Sequence, residues 1–198
     1  LFMTSSIEFY FDFISPYSYI AHKRYLEIKK DKKINFIYKP ILLGGLHNLA
    51  KITAPGLIKS KIKYLKDDCA MVSKKFSINF KFNNRFPINT LTLMRGILAI
   101  DESKKQNYID KFFEAYWYSN TNLSDEKEIA KILKDLDINP KKFFLDLKNQ
   151  NIKDKLKELT SDAFKKKIFG APTFYVNNKI FWGQDRLDFA IEEYEKVI

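Results

Sequence analysis

The sequence predicts an α/β protein whose sheet-forming segments lie at its two ends, with a long helical block between them. Residues 7 to 40 have the pattern of strand, helix and strand, and residues 172 to 197 that of strand, strand and helix. The intervening block of roughly 100 residues is far longer than an ordinary connection, and its apolar residues recur at helical spacing.

The amino-terminal elements follow from periodicity. Four apolar residues alternate with polar ones in residues 7 to 13, as in a strand with one apolar face: Ile7, Phe9, Phe11 and Phe13. Helical spacing then extends from residue 17 to about residue 30, and Pro16 suits a first helical turn. The segment INFIYKP, residues 34 to 40, predicts a second strand that ends at Pro40.

Six helices are predicted next, over residues 56–76, 89–102, 107–118, 124–136, 140–148 and 151–166. Ser124 is the expected N-cap of the fourth of these helices. The segment PTFYVNNKIFWG then predicts a hairpin that turns at Asn177 and Asn178, and residues 184 to 197 predict a closing amphipathic helix.

A β-α-β unit completed by a β-β-α unit is the thioredoxin arrangement, here with a large all-helical insertion. Residues 3–50 and 168–198 are therefore the predicted thioredoxin-like domain, and residues 51–167 the predicted helical insertion domain.

Charge and cysteine content restrict the function. The net charge is +11, yet the chain has only four arginines, and acids are interspersed among its lysines. This pattern predicts a solvated basic surface rather than a nucleic-acid site, and such a field favours a small anionic ligand. The single cysteine, Cys69, excludes an intramolecular disulfide and a cysteine-based metal cluster.

His22 and His47 have no nearby cysteine or paired carboxylates, so no metal site is predicted. The sequence shows neither a basic segment followed by a long apolar one nor an apolar run of ~20 residues. Neither secretion nor a membrane span is therefore expected, and a cytoplasmic location is predicted.

A serine stands where the first strand gives way to the first helix, in the sequence SPYS. In a thioredoxin-type fold a C-x-x-C pair at this point uses the helix dipole to stabilise a thiolate. Here Ser15 and Ser18 keep the spacing but replace both sulfurs with hydroxyls. Ser15 is either a simple N-cap or a hydrogen-bond donor to a thiolate that another molecule supplies.

A second segment, FGAPTFYVNNKIFWGQDRL, supports the second interpretation. Pro172 opens a predicted strand, where a proline belongs at an edge or at a special bend, and such a bend admits either a trans or a cis peptide bond. In thioredoxin-like folds such a loop faces the first helix and offers backbone groups to a bound cysteinyl peptide.

The chain resembles the 2-hydroxychromene-2-carboxylate isomerase family, whose members are relatives of the kappa-class glutathione transferases. Four segments carry the resemblance: FYFDFISPYSYIA, KPILLGGL, FPINTLTLMRG and FGAPTFYVNNKIFWGQDRL. The resemblance implies that glutathione is the cofactor and that Ser15 is the catalytic residue, through a hydrogen bond to the glutathione sulfur. It implies that Ala171, beside a cis Pro172, holds the cysteinyl amide of glutathione.

The same resemblance assigns Gln184 and Asp185 to the γ-glutamyl end of glutathione and Lys61 to its glycyl carboxylate. Where the family has an asparagine that contacts glutathione, this chain has Ile52, so either Asn48 substitutes or one contact is lost.

The family reaction is isomerisation of an aromatic or enone-bearing carboxylate by reversible addition of the glutathione thiolate. A kappa-like glutathione transferase and a non-catalytic glutathione- or peptide-binding protein are the alternatives, and a homodimer is expected from the family.

Overall fold

The computed structural model describes residues 5–196 and confirms a thioredoxin-like α/β fold with inserted helices. The strands are β1 (Ile7–Phe11), β2 (Phe36–Pro40), β3 (Thr173–Val176) and β4 (Lys179–Trp182). The helices are α1 (Pro16–Ile28), α2 (Leu43–Ala50), α3 (Lys59–Lys75), α4 (Leu91–Ala99), α5 (Glu102–Trp117), α6 (Glu126–Asp135), α7 (Pro140–Asp146), α8 (Gln150–Lys165) and α9 (Leu187–Glu195). Short 3₁₀ turns span Pro55–Leu57 and Gln184–Arg186. The predicted thioredoxin-like domain includes residues 3, 4, 197 and 198, and the predicted last helix includes residue 197. These four residues lie outside the described ones.

The four strands form one mixed sheet in the order β2-β1-β3-β4. β2 runs parallel to β1, whereas β3 runs antiparallel to β1, and β4 runs antiparallel to β3. Because of these directions, the ends of β1, β2 and β4 and the beginning of β3 lie at one edge of the sheet. The loops at this edge carry the predicted site.

Several element boundaries differ from the prediction. β1 ends at Phe11 rather than at residue 13, because Asp12 starts a turn in which its carbonyl accepts a hydrogen bond from the Ser15 N–H at 3.1 Å. α2 was not predicted, since its pair of glycines resembles a loop. α5 begins at Glu102, five residues before the predicted start, and the N-cap of α6 is Asp125 rather than Ser124.

The hairpin prediction is confirmed: Asn177 and Asn178 join β3 to β4, with φ of 48° and 61°. Both values lie in the left-handed region that asparagine tolerates.

The main core lies on the apolar face of β1, where helices α1 and α9 pack together with inserted helices. The aromatic segment of α5 belongs to this core, since Phe112, Phe113, Tyr116 and Trp117 are fully buried. A smaller cluster on the opposite face joins Tyr10, Ile41, Leu46, Ala163 and Ile168. Helix α8 thus packs against the sheet itself, and the predicted domain boundaries at residues 51 and 167 stay a prediction.

A buried hydrogen-bond network links α1, β2 and α5. His22 is fully buried; its Nδ1 lies 2.8 Å from the Tyr38 hydroxyl and its Nε2 lies 2.9 Å from Asp110 Oδ1. Burial lowers the pKa of His22, so the ring stays neutral near pH 7. Burial alone would raise the pKa of Asp110, but hydrogen bonds from His22 and Lys23 lower it to about 2. His22 is therefore a core residue, hydrogen-bonded through both of its ring nitrogens.

Acidification is expected to destabilise the fold through His22. Because its pKa in the folded protein lies below the ordinary 6.5, the unfolded chain takes up the proton first. The stabilising contribution is complete above pH 6.5 and is lost as the pH falls below that value. Urea denaturation at about pH 7.5 and pH 5.5 should show a lower free energy of unfolding at the acidic pH. The decrease should be smaller in His22→Gln, and an equal decrease in both proteins would contradict this assignment.

Candidate active site

Ser15 lies at the N-terminus of α1 and caps it. Its backbone is extended (φ −88°, ψ 114°), and its Oγ accepts a hydrogen bond from the Ser18 N–H at 3.1 Å. Pro16 occupies the first helical position, where its missing N–H costs nothing. The N-cap interpretation is thus confirmed, and it leaves the proton of the Ser15 hydroxyl free for another partner.

That proton is donated to the loop before β3: Ser15 Oγ lies 3.0 Å from the carbonyl oxygen of Ala171. The contact arises because β3 is antiparallel to β1, so that residues 171 and 172 lie beside the end of β1. The Ala171–Pro172 peptide bond is cis, as predicted. The two segments that the sequence singled out are therefore in contact, and Ser15 is 95% buried.

Ser18, the second residue that replaces a sulfur, is fully buried, and its Oγ has no hydrogen-bond partner among the described residues. Buried hydroxyls without a partner are uncommon. At the start of α1, the Ser15 hydroxyl therefore both caps the helix and donates a hydrogen bond, whereas the Ser18 hydroxyl makes no hydrogen bond with the described residues. This arrangement suits an anionic group at the helix N-terminus.

Gln184 and Asp185 are at the same edge, because β4 ends beside the start of β3. The Gly183 N–H donates to the Pro172 carbonyl at 3.0 Å, which ties the loop after β4 to the cis-proline loop. Gln184 is buried, whereas the Asp185 side chain is 60% exposed and lies 3.4 Å from Arg186. Gln184 thus has a buried amide, and Asp185 has an exposed carboxylate.

Arg24 is a residue that the sequence analysis did not single out. It is buried on α1 and donates to the backbone carbonyl of Gln184 at 2.7 Å and to Asp188 at 2.8 Å. The sequence around Arg24 gave no signal of this role, because the partners that a buried arginine needs lie 160 and 164 residues further along the chain.

A second contact joins the first turn of α1 to α3. The Tyr17 hydroxyl donates to Asp68 at 2.5 Å, and the Tyr64 hydroxyl does so at 3.3 Å. Asp68 is therefore hydrogen-bonded and partly buried, whereas its neighbour Asp67 is exposed. Burial raises the pKa of the neighbouring Cys69 thiol, which keeps it protonated and unreactive.

Lys61 lies exposed in the first turn of α3, without an ion pair among the described residues. The structure shows no contact between Lys61 and Ser15. Asn48, near the end of α2, is exposed, as is Ile52 in the loop that follows. The predicted ligand roles of these residues stay predictions.

Asp12 anchors the turn that carries Ser15. It is fully buried and accepts hydrogen bonds from the Leu43 N–H at 2.8 Å, the Ile14 N–H at 3.1 Å and the Thr90 hydroxyl at 2.6 Å. Burial raises the pKa of the Asp12 carboxyl, and these three donors oppose the rise. Its role is structural, because it joins the end of β1 to the starts of α2 and α4.

Within residues 5–196 there is no cluster of three histidine, cysteine or acidic side chains that could hold a metal ion. Over the same residues, no helix is both long and apolar enough to cross a membrane.

Fold and site together define a thioredoxin-fold protein whose candidate active site carries the hydroxyls of Ser15 and Ser18 at the spacing of a redox dithiol. The chain belongs to the DsbA-like thioredoxin domain family, whose profile matches residues 6–195. It is 25% identical to the 2-hydroxychromene-2-carboxylate isomerase of Sphingobium xenophagum, over 97% of this chain and 98% of that protein. It is 24% identical to glutathione S-transferase kappa 1 of Caenorhabditis elegans, over 91% and 86% of the two chains. A solved 2-hydroxychromene-2-carboxylate isomerase superposes with a TM-score of 0.87, at 25% identity and over 96% of this chain and 95% of that one.

Proposed function

We propose that this protein is a glutathione-dependent isomerase of the 2-hydroxychromene-2-carboxylate isomerase type. The observation that supports it most directly is the Ser15 hydroxyl, which is held at the N-terminus of α1 and against the loop of the cis-proline Pro172. A redox reaction of its own is excluded at this edge, because the chain's single cysteine lies buried on α3.

The residues present suit glutathione. A thiolate beside Ser15 would take over the hydrogen bond that the hydroxyl now donates to Ala171, and the helix N-terminus would add favourable potential. The unused Ser18 hydroxyl provides further polar capacity in the same turn. Asp185 is accessible to the ammonium of the γ-glutamyl residue, and Gln184 lies beside it for the carboxylate.

When bound, glutathione supplies a thiolate that adds reversibly to the enone of the substrate and so makes a double bond rotatable. Ser15 contributes by lowering the pKa of that thiol towards neutral pH, since its hydrogen bond is stronger to the charged form. The lysine-rich surface attracts a carboxylate substrate. The chain itself forms no covalent bond in this scheme.

Turnover with limiting glutathione tests the proposal. With 2-hydroxychromene-2-carboxylate as substrate, we expect isomerisation to continue for many equivalents of substrate per glutathione, with the tripeptide recovered unchanged. A reaction that stops after one equivalent, with a conjugate as product, would instead indicate a kappa-like transferase, which the similarity to kappa enzymes makes the second candidate. Failure of the folded protein to take up glutathione at millimolar concentration in calorimetry would contradict both functions.

A further inference from the structure

Arg24 fixes the orientation of the Gln184 side chain. One of its terminal nitrogens, Nη1, lies 2.7 Å from the Gln184 carbonyl oxygen and 3.4 Å from Gln184 Oε1. The other, Nη2, lies 2.8 Å from Asp188 Oδ2, and the guanidinium lies over the ring of Phe76, 4.2 Å from its centroid. Arg24 is 93% buried, and these contacts with Gln184, Asp188 and Phe76 hold its guanidinium in place.

The chemistry of arginine then determines which end of the Gln184 amide faces outward. A guanidinium has five N–H donors and no acceptor, so the carboxamide atom beside it must be the oxygen. The NH₂ group consequently points away from Arg24. Among the described residues no hydrogen bond from Gln184 Nε2 is found, and Nε2 is not among the fully buried atoms that lack a partner. Gln184 therefore keeps a pair of N–H donors without a partner among the described residues, on a side chain that is itself 92% buried and that follows Gly183, whose N–H bonds to the cis-proline loop.

We propose that Arg24 is a positioning residue: it orients Gln184 so that Nε2 donates to the α-carboxylate of the γ-glutamyl residue of glutathione. The inference depends on the proposed function, because it concerns the same ligand. Gln184 Nε2 would bind the carboxylate while Asp185, one residue further, binds the adjacent ammonium. Without Arg24 the amide could rotate and present its oxygen to the carboxylate, which would repel it.

The test compares two ligands that differ in that carboxylate alone: glutathione and 4-aminobutanoyl-cysteinylglycine, which keeps the ammonium and the thiol. Calorimetry on the wild type should give about tenfold tighter binding of glutathione, the usual size of one hydrogen bond to a charged group. In Arg24→Lys this preference should fall to about one, and in Gln184→Glu, whose carboxylate repels that of the ligand, to one or below. The affinity for the analogue should stay within about twofold in Arg24→Lys; Gln184→Glu adds a charge beside the ligand's ammonium, so only the ratio of its two affinities is interpreted.

Asp188→Asn is the matched control. It removes the ion-pair partner of Arg24 but leaves the contact with Gln184, so the tenfold preference should persist. Gln184→Glu retains Arg24 and its ion pair, which keeps the inference falsifiable if Arg24→Lys does not fold.

Two results would overturn the inference while leaving the proposed function intact. The first is a tenfold preference that survives in Gln184→Glu. The second is an equal loss of affinity for both ligands in Arg24→Lys, which would make Arg24 a structural residue alone. Absence of glutathione binding to the wild type would instead remove the proposed function and this inference with it.

Discussion

Replacing Ser15 by alanine is expected to reduce turnover at neutral pH by about 10- to 100-fold. The hydroxyl is the side chain at the N-terminus of α1 that is placed to donate to a thiolate, and a hydrogen bond to a charged group is worth about 1.5 to 3 kcal/mol. This energy corresponds to about one to two units in the pKa of bound glutathione. The measurement is the ultraviolet absorbance of the thiolate as a function of pH, with wild type and Ser15→Ala each saturated with glutathione.

The Ser15→Ala variant also loses a helix cap, so a matched control must lose one as well. Asn139 caps α7 by accepting a hydrogen bond from the Lys142 N–H at 3.1 Å, in a different part of the fold. Asn139→Ala should cost about 1 kcal/mol of stability, as caps typically do, without changing the thiol pKa or turnover. If the thiol pKa were the same in Ser15→Ala as in the wild type, Ser15 would have no part in the mechanism.

The sequence was sufficient for those parts of the fold that depend on local pattern. Alternation of side chains places β1, the Asn-Asn pair places the hairpin, and a proline opening a strand marks the bend at Pro172. The contact between Ser15 and Ala171 was also foreseeable, because the order of elements determines which loops share an edge of the sheet. Local signals and topology rules therefore predict most of the site's backbone.

The parts that were missed depend on contacts between residues far apart in the chain. Helix α2 has two glycines in its first turn, after Leu43, and the Leu43 N–H is held by the Asp12 carboxylate, 31 residues earlier. Asp68 resembles its exposed neighbour Asp67 in sequence, yet Tyr17, 51 residues away, binds it. Arg24 is separated by 160 residues from Gln184. No periodicity within a single element indicates such partners, because each arises when separate elements pack together.

Removal of the Asp12 carboxylate should have the largest effect on stability. Asp12→Ala would leave the N–H groups of Leu43 and Ile14 and the hydroxyl of Thr90 in the interior without an acceptor. Each unsatisfied donor costs about 1 to 3 kcal/mol, and relief of the buried charge offsets part of the sum. We expect a loss of about 3 to 5 kcal/mol, or a melting temperature lower by about 10 °C in a chain of this size.

Thr90→Val separates the effect of one donor from that of the whole cluster. It deletes the hydroxyl but leaves Asp12 with its two backbone partners, so it should cost about 1 kcal/mol. Because the Ser15 N–H bonds to the Asp12 carbonyl, the loss of structure in Asp12→Ala should spread to the first turn of α1. Amide hydrogen exchange should accordingly accelerate at the starts of α1, α2 and α4 together. If Asp12→Ala were no less stable than Thr90→Val, the carboxylate would not be what joins these three helices at the active-site edge.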